Sequence, residues 1–167
     1  MTLHEMKTLY AYDAWATNRI FDAVAMVPPE EAMRDLHGGH HSIHGTIAHM
    51  VGAARVWLAR WTGGPEIPIL RGEEVSGIEE LKSLWEKTGY DLAKFLGSLT
   101  DRKLQETFTM KTSAGKTYTH ILWQVMQHLA DHSTYHRGQV VLMLRQLGHT
   151  PPAVGLIGFY RETVKLP

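Results

Sequence analysis

Residues 122–147 read LWQVMQHLADHSTYHRGQVVLMLRQL, and they decide the fold. Leu122, Val125, Leu129, Val140, Met143 and Leu147 recur at the three-to-four-residue spacing of one helix face, and His132 and His136 fill the two gaps in that row. A helix this long with one apolar stripe needs helical partners along its whole length. Side chains four apart stand one turn apart, with Cβ atoms about 5–6 Å from each other, so the two imidazoles can reach a common metal ion. The alternative is a pair of core histidines, each bonded to its own neighbour, where apolar residues would pack at lower cost. His128 extends the four-residue ladder but lies about 100° off Leu129, on the flank, where a solvated or supporting role is the simpler reading.

Working outward, the chain supplies three further long helices. Over 3–26, Leu3, Met6, Tyr10, Asp13, Ala14, Thr17, Phe21 and Val24 keep a helical spacing that is apolar at most positions, and Pro28-Pro29 stops it. Ser42 is the expected N-cap of a second helix running to about Thr62, closed by Gly63-Gly64-Pro65. A third runs from about Ile78 to Leu99. Between it and the last helix, β-formers alternate around Ser113-Ala114-Gly115 and predict a short hairpin, with Thr119 as the cap of the final helix. The apolar tail from Val154 to Thr163 is expected to pack back as a short helix. Four long helices sharing one core predict an all-α, four-helix-bundle protein with a small hairpin insertion, and residues 1–167 fit one domain.

A third metal ligand must come from another helix. No Glu or Asp falls on an obvious buried stripe, which argues against a carboxylate-rich di-iron centre. His49 and His44 both lie on the second helix, and its apolar character over much of its circumference does not choose between them. His37, His40 and His41 crowd a Gly-containing loop and can line the rim of a site beside that helix, while His120 reads as a surface residue. Gly138 in mid-helix costs roughly 1 kcal/mol relative to Ala and suggests a close helix–helix approach. Tyr135 and Arg137 are expected to face outward, where a partner or a substrate meets them.

Composition narrows the function classes. Seventeen basic and seventeen acidic residues are interspersed, giving zero formal net charge and no electrostatic support for nucleic-acid or anionic-membrane binding. Cysteine is absent, which removes disulfides, thiolate ligands and a cysteine nucleophile. The first residues, Met1 to Lys7, lack the charged-then-apolar signature of a signal peptide and no run of about 18 apolar residues occurs, so a cytoplasmic protein is expected. Eleven histidines are the compositional anomaly.

Residues 128–139 resemble the signature of the DinB/YfiT-like superfamily, whose last long helix carries a His-x-x-x-His-Arg-Gly-Gln pattern. Trp15-Ala-Thr-Asn18-Arg19 is similar to the family's first-helix element, and Ile47-Ala-His49-Met50 with Trp57 to its second-helix histidine and tryptophan. Gly148-His-Thr-Pro151-Pro152 and Phe159-Tyr160-Arg161-Glu162 fit its C-terminal pattern, although Gly155 stands where the family often has Asp. The resemblance implies up-down-down-up connections, a homodimer, and a metal triad of His49, His132 and His136.

Three neutral imidazoles leave an open coordination position, as in catalytic zinc sites, and Zn²⁺ or Ni²⁺ suits such ligands. By resemblance, the expected function is a metal-dependent thiol S-transferase, or a related hydrolase, acting on a small molecule with a low-molecular-weight thiol such as bacillithiol, mycothiol or glutathione. His128, Tyr135 and Arg137 are the supporting or substrate-side candidates. The competing expectation is a non-catalytic metal-binding stress-response protein, and the residues leave open whether the chain is an enzyme.

Overall fold

A computed structural model describes residues 1–111 and 115–163. In chain order the helices are α1 (Leu3–Val24), α2 (Pro29–Ala32), α3 (Ile43–Trp61), α4 (Ile78–Ser98), α5 (Asp101–Leu104), α6 (Leu122–Gln146) and α7 (Leu156–Thr163). A single 3-10 turn spans Gly72–Glu74, and β1 (Thr107–Lys111) pairs with β2 (Thr117–Ile121). No helix among the described residues is long and apolar enough to cross a membrane.

Local chemistry sets the helix ends. Thr2 and Glu5 form a reciprocal capping box on α1, with Thr2 Oγ1 accepting from Glu5 N at 3.2 Å and Glu5 Oε2 accepting from Thr2 N at 2.7 Å. Ser42 caps α3 as its sequence position predicts, its Oγ accepting from Gly45 N at 3.0 Å. Such caps contribute about 1 kcal/mol each by satisfying amides that have no partner within the helix.

The four long helices pack in a closed circuit: α6 lies against α1 and α3, and α4 lies against the same two. Phe21, Ile43, Ile47, Leu81, Met126, Leu129 and Leu144 are fully buried between them. Tyr10 adds a buried tie, donating its hydroxyl to the Met126 carbonyl of α6 at 2.9 Å. The C-terminal helix docks on α1 through the residues that carry the sequence resemblance. Phe159 meets the rings of Tyr12 and Trp15 edge-on, and Glu162 accepts from Trp15 Nε1 at 3.0 Å and Arg19 Nη2 at 2.7 Å.

The hairpin lies where predicted, antiparallel with Thr107 opposite Ile121 and Lys111 opposite Thr117. Ser113 and Ala114 of its expected turn lie outside the described residues. Thr119 does not cap α6. It sits inside β2, its hydroxyl 3.0 Å from that of Thr109, and α6 begins three residues later. There Gln124 Oε1 accepts from Ile121 N at 3.0 Å, replacing the expected threonine cap.

Two expectations about buried charge are corrected. Arg137 does not face outward: its side chain is 1% exposed and pairs with Asp13 of α1, itself buried. Arg137 Nη1 also donates to Thr17 Oγ1 at 3.0 Å and Nη2 to Thr134 Oγ1 at 2.7 Å, while the Tyr12 ring lies 5.3 Å from the guanidinium carbon. An acid therefore does occupy a buried stripe. The cause is that α6 is covered on two sides, by α1 and by α3, so its buried arc is wider than the single row of apolar residues. Arg137, about 100° from His136, falls on the α1 side of that arc. Gly138 likewise makes no close approach; it is exposed, and nothing among the described residues lies within 4 Å of where its Cβ would be.

Candidate metal centre

The packing of α3 on α6 brings His49 opposite His132 and His136. His49 Nε2 lies 2.9 Å from His132 Nε2, and His136 Nε2 lies 3.1 Å from the same atom. His136 is buried, and the other two rings are half-buried. Ring centroids of the three pairs stand 4.4–4.9 Å apart at mutual angles of 49–69°, so the three rings form one cluster.

Hydrogen bonding alone does not satisfy this arrangement. A neutral imidazole nitrogen offers either one N–H or one in-plane lone pair. His132 Nε2 faces two other Nε2 atoms at hydrogen-bond distance and can be properly matched to only one of them. A tetrahedral ion with metal–nitrogen bonds of about 2.0–2.1 Å holds its ligand nitrogens roughly 3.3 Å apart, within a few tenths of an ångström of these separations. The donor set and the spacing both fit a divalent ion.

The surroundings favour the ligating form of each ring. Gln139 Oε1 lies 2.7 Å from His136 Nδ1, an arrangement that places the proton on Nδ1 and leaves the Nε2 lone pair aimed at the cluster. His132 Nδ1 is buried with no partner among the described residues, and Asp131, exposed on the next position, does not serve it. Burial, reinforced by neighbouring imidazoles, lowers His49 and His132 to about 4. Burial also lowers His136, with Gln139 pulling it partly back. At neutral pH these rings are therefore uncharged, as metal binding requires.

The loop before α3 adds a residue that sequence reasoning placed only at the rim. The His40 ring stacks on His49 with centroids 3.9 Å apart and lies 5.2 Å from His136. One nitrogen from each of His40, His49 and His136 lies within 4.8 Å of the others. Gly45 makes this possible, because a Cβ there would stand 2.3 Å from the His40 carbonyl oxygen. A glycine one helical turn before His49 on the same face is the signal in the sequence that a neighbouring backbone lies against that face.

The other histidines singled out in the sequence lie apart from the cluster. His44, the rival to His49, is buried on another side of α3, with Nε2 unpartnered among the described residues and Nδ1 beside Gly72. His128 is exposed, its ring edge-on to Trp57 at 5.7 Å and 6.1 Å from that of His132. Tyr135 is 66% exposed with its ring 5.1 Å from that of His136. His37 and His41 pair with Asp35 at 3.5 and 3.3 Å, and His120 lies exposed on β2. A cleft of about 630 Å³ is bordered by His40, His49, Ile69 and Arg71. A second, of about 490 Å³, runs between Trp57, Met110, Tyr118 and His128.

Comparison with known proteins agrees with the architecture. The chain is 25% identical over 166 residues to "Protein DinB" of Bacillus subtilis (strain 168), covering 94% of this chain and 95% of that protein. It is 21% identical over 153 residues to "Uncharacterized protein YizA" of the same organism, covering 92% and 94%. Among solved structures, a DinB-like protein from Bacillus cereus ATCC 10987 superimposes with a TM-score of 0.69 at 19% identity, over 92% of this chain and 98% of that one. A Streptococcus pneumoniae protein gives a TM-score of 0.59 at 15% identity, over 89% and 91%. The model of the DinB family matches residues 1–163, and the chain belongs to that family.

Proposed function

We propose that the chain is a divalent-metal enzyme of the DinB family in which His49, His132 and His136 hold Zn²⁺ or Ni²⁺, and that it catalyses transfer of a low-molecular-weight thiol, or a related hydrolysis, on a small electrophile. The observation that carries this reading is the convergence of three Nε2 atoms, 2.9 and 3.1 Å apart, that hydrogen bonds cannot jointly satisfy. The proposed scaffold is a four-helix bundle with up-down-down-up connections, acting as a cytoplasmic homodimer.

A divalent ion in this position supplies Lewis acidity, which lowers the pKa of a bound thiol. The chain's own residues do the rest. Gln139 fixes the His136 tautomer, and burial keeps the three rings neutral. Trp57 and His128 border an aromatic groove beside the His132 turn, suited to orienting the organic part of an electrophile. Tyr135 is the exposed hydroxyl next to His136, and Arg137 is assigned no substrate role because it is committed to Asp13.

The test is turnover of a chromogenic electrophile with glutathione, bacillithiol and mycothiol by zinc-loaded, nickel-loaded and metal-stripped protein. The reading expects metal-dependent thiol consumption that is lost in His132→Ala. Metal binding without turnover of any thiol or ester would instead favour the non-catalytic metal-binding protein.

A further inference from the structure

The loop between α2 and α3 brings a fourth imidazole to the cluster, and its construction directs only that one inward. Leu36 N donates to His41 O at 2.6 Å and His41 N to Gly38 O at 2.9 Å, closing the loop on itself. His37 and His41 take left-handed backbone conformations, with φ of 58° and 64°, and Asp35 draws both of their rings to the outer side. His40, between them, is half-buried against His49 and His136. The bare Gly45 lets the His40 carbonyl sit directly on the first turn of α3.

We propose that His40 is a fourth ligand of the metal, an inference that rests on the metal reading of His49, His132 and His136. Imidazoles sharing one ion with metal–nitrogen bonds of about 2.0–2.1 Å have ring centroids roughly 5 Å apart. The three core pairs, at 4.4–4.9 Å, and His40–His136, at 5.2 Å, match that spacing. The stacked His40–His49 pair at 3.9 Å is closer than that spacing, and the nitrogens that lie within 4.8 Å of one another are those of His40, His49 and His136, without His132, so His40 has to shift off the His49 face toward His132 to ligate. Rotation of the His40 side chain can make that movement while the loop backbone stays seated on Gly45. Ligation by His40 would close the tetrahedron on the side of the cleft that His40 and His49 border.

X-ray absorption at the zinc edge, on untagged full-length protein loaded with one equivalent of zinc, counts the imidazoles directly. The expected result is four imidazoles in the parent, and three plus one light oxygen donor in His40→Ala. Chelator competition should show at least tenfold weaker zinc binding in that variant, with partial restoration by free imidazole. Three imidazoles in both proteins, or an unchanged zinc affinity, would overturn the role of His40 and leave the three-histidine site standing. Failure of the parent to bind zinc in equilibrium dialysis would overturn both. Thermal unfolding of the metal-free His40→Ala protein, expected to match the parent, shows that the comparison is between folded proteins.

Discussion

Gln139 Oε1 lies 2.7 Å from His136 Nδ1, one helical turn along α6, and this contact sets which nitrogen of His136 carries the proton. Outer partners of this kind typically change metal affinity by 10–100-fold when removed. Gln139→Ala is therefore expected to weaken zinc binding by one to two orders of magnitude in chelator competition. Gln139→Glu keeps the acceptor and should bind at least as tightly as the parent. Equal affinities for all three proteins would contradict the assignment.

The Asp13–Arg137 pair joins α1 to α6 out of water. Burial pushes the Asp13 carboxyl up, while Arg137 and then Ser133 pull it back. Removing one partner leaves the other charge buried and unpaired, at a cost of about 3–5 kcal/mol. Asp13→Ala should lower the urea midpoint accordingly, and the double variant Asp13→Leu/Arg137→Leu should recover much of the loss. The metal stoichiometry of whichever variant remains folded is expected to stay at that of the parent.

Most helix limits are legible in the sequence because caps and proline stops are local signals, with Thr119 the exception, since it lies in β2 and does not cap α6; the apolar stripe likewise puts His132 and His136 on one helix face. Ser42 and the Gly63-Gly64-Pro65 stop bracket α3 closely. The choice of His49 over His44 was not legible from spacing. Both lie on a helix buried over much of its circumference, and only the packing of α6 decides which face meets the other histidines. His40 escaped because a loop has no periodicity to place its side chains, although Gly45 marked the contact. Arg137 is not legible as buried because a charged residue beside the stripe reads as solvated until its partner, Asp13 of α1, is known.

The neutral histidines make the metal-free protein sensitive to acid. His49 and His132 titrate near 6.5 in the unfolded chain and at about 4 in the folded one. Between those values the unfolded state binds more protons, so the contribution of these two rings to stability is full above about pH 6.5 and is lost as pH falls toward 4. The lowered carboxylates, Glu5, Asp35, Glu80 and Glu106, act only below their ordinary values of 3.8–4.5, leaving the upper part of the window to histidine. The Tm of stripped protein should drop from pH 7.5 to pH 5, and less so in the His49→Ala/His132→Ala variant. A flat Tm over that range would count against the burial of these rings.

Gly45 tests the seating of the His40 loop. A methyl group there meets the His40 carbonyl at 2.3 Å, against rigid backbone. Overpacking of this kind costs about 1–3 kcal/mol. Gly45→Ala should lower Tm and raise protease cleavage within residues 36–42, while the far-UV circular dichroism of the helices is preserved. Unchanged stability would show that the loop is not seated on α3.

The most direct measurement of the central claim is the metal content of untagged protein, purified after growth with zinc and nickel and assayed by inductively coupled plasma mass spectrometry alongside His49→Ala, His132→Ala and His136→Ala. Convergence of His49, His132 and His136 predicts about one divalent ion per parent chain and near-complete loss in each variant. A metal-free parent that also fails to take up zinc in dialysis, or variants that keep the full equivalent, would contradict it.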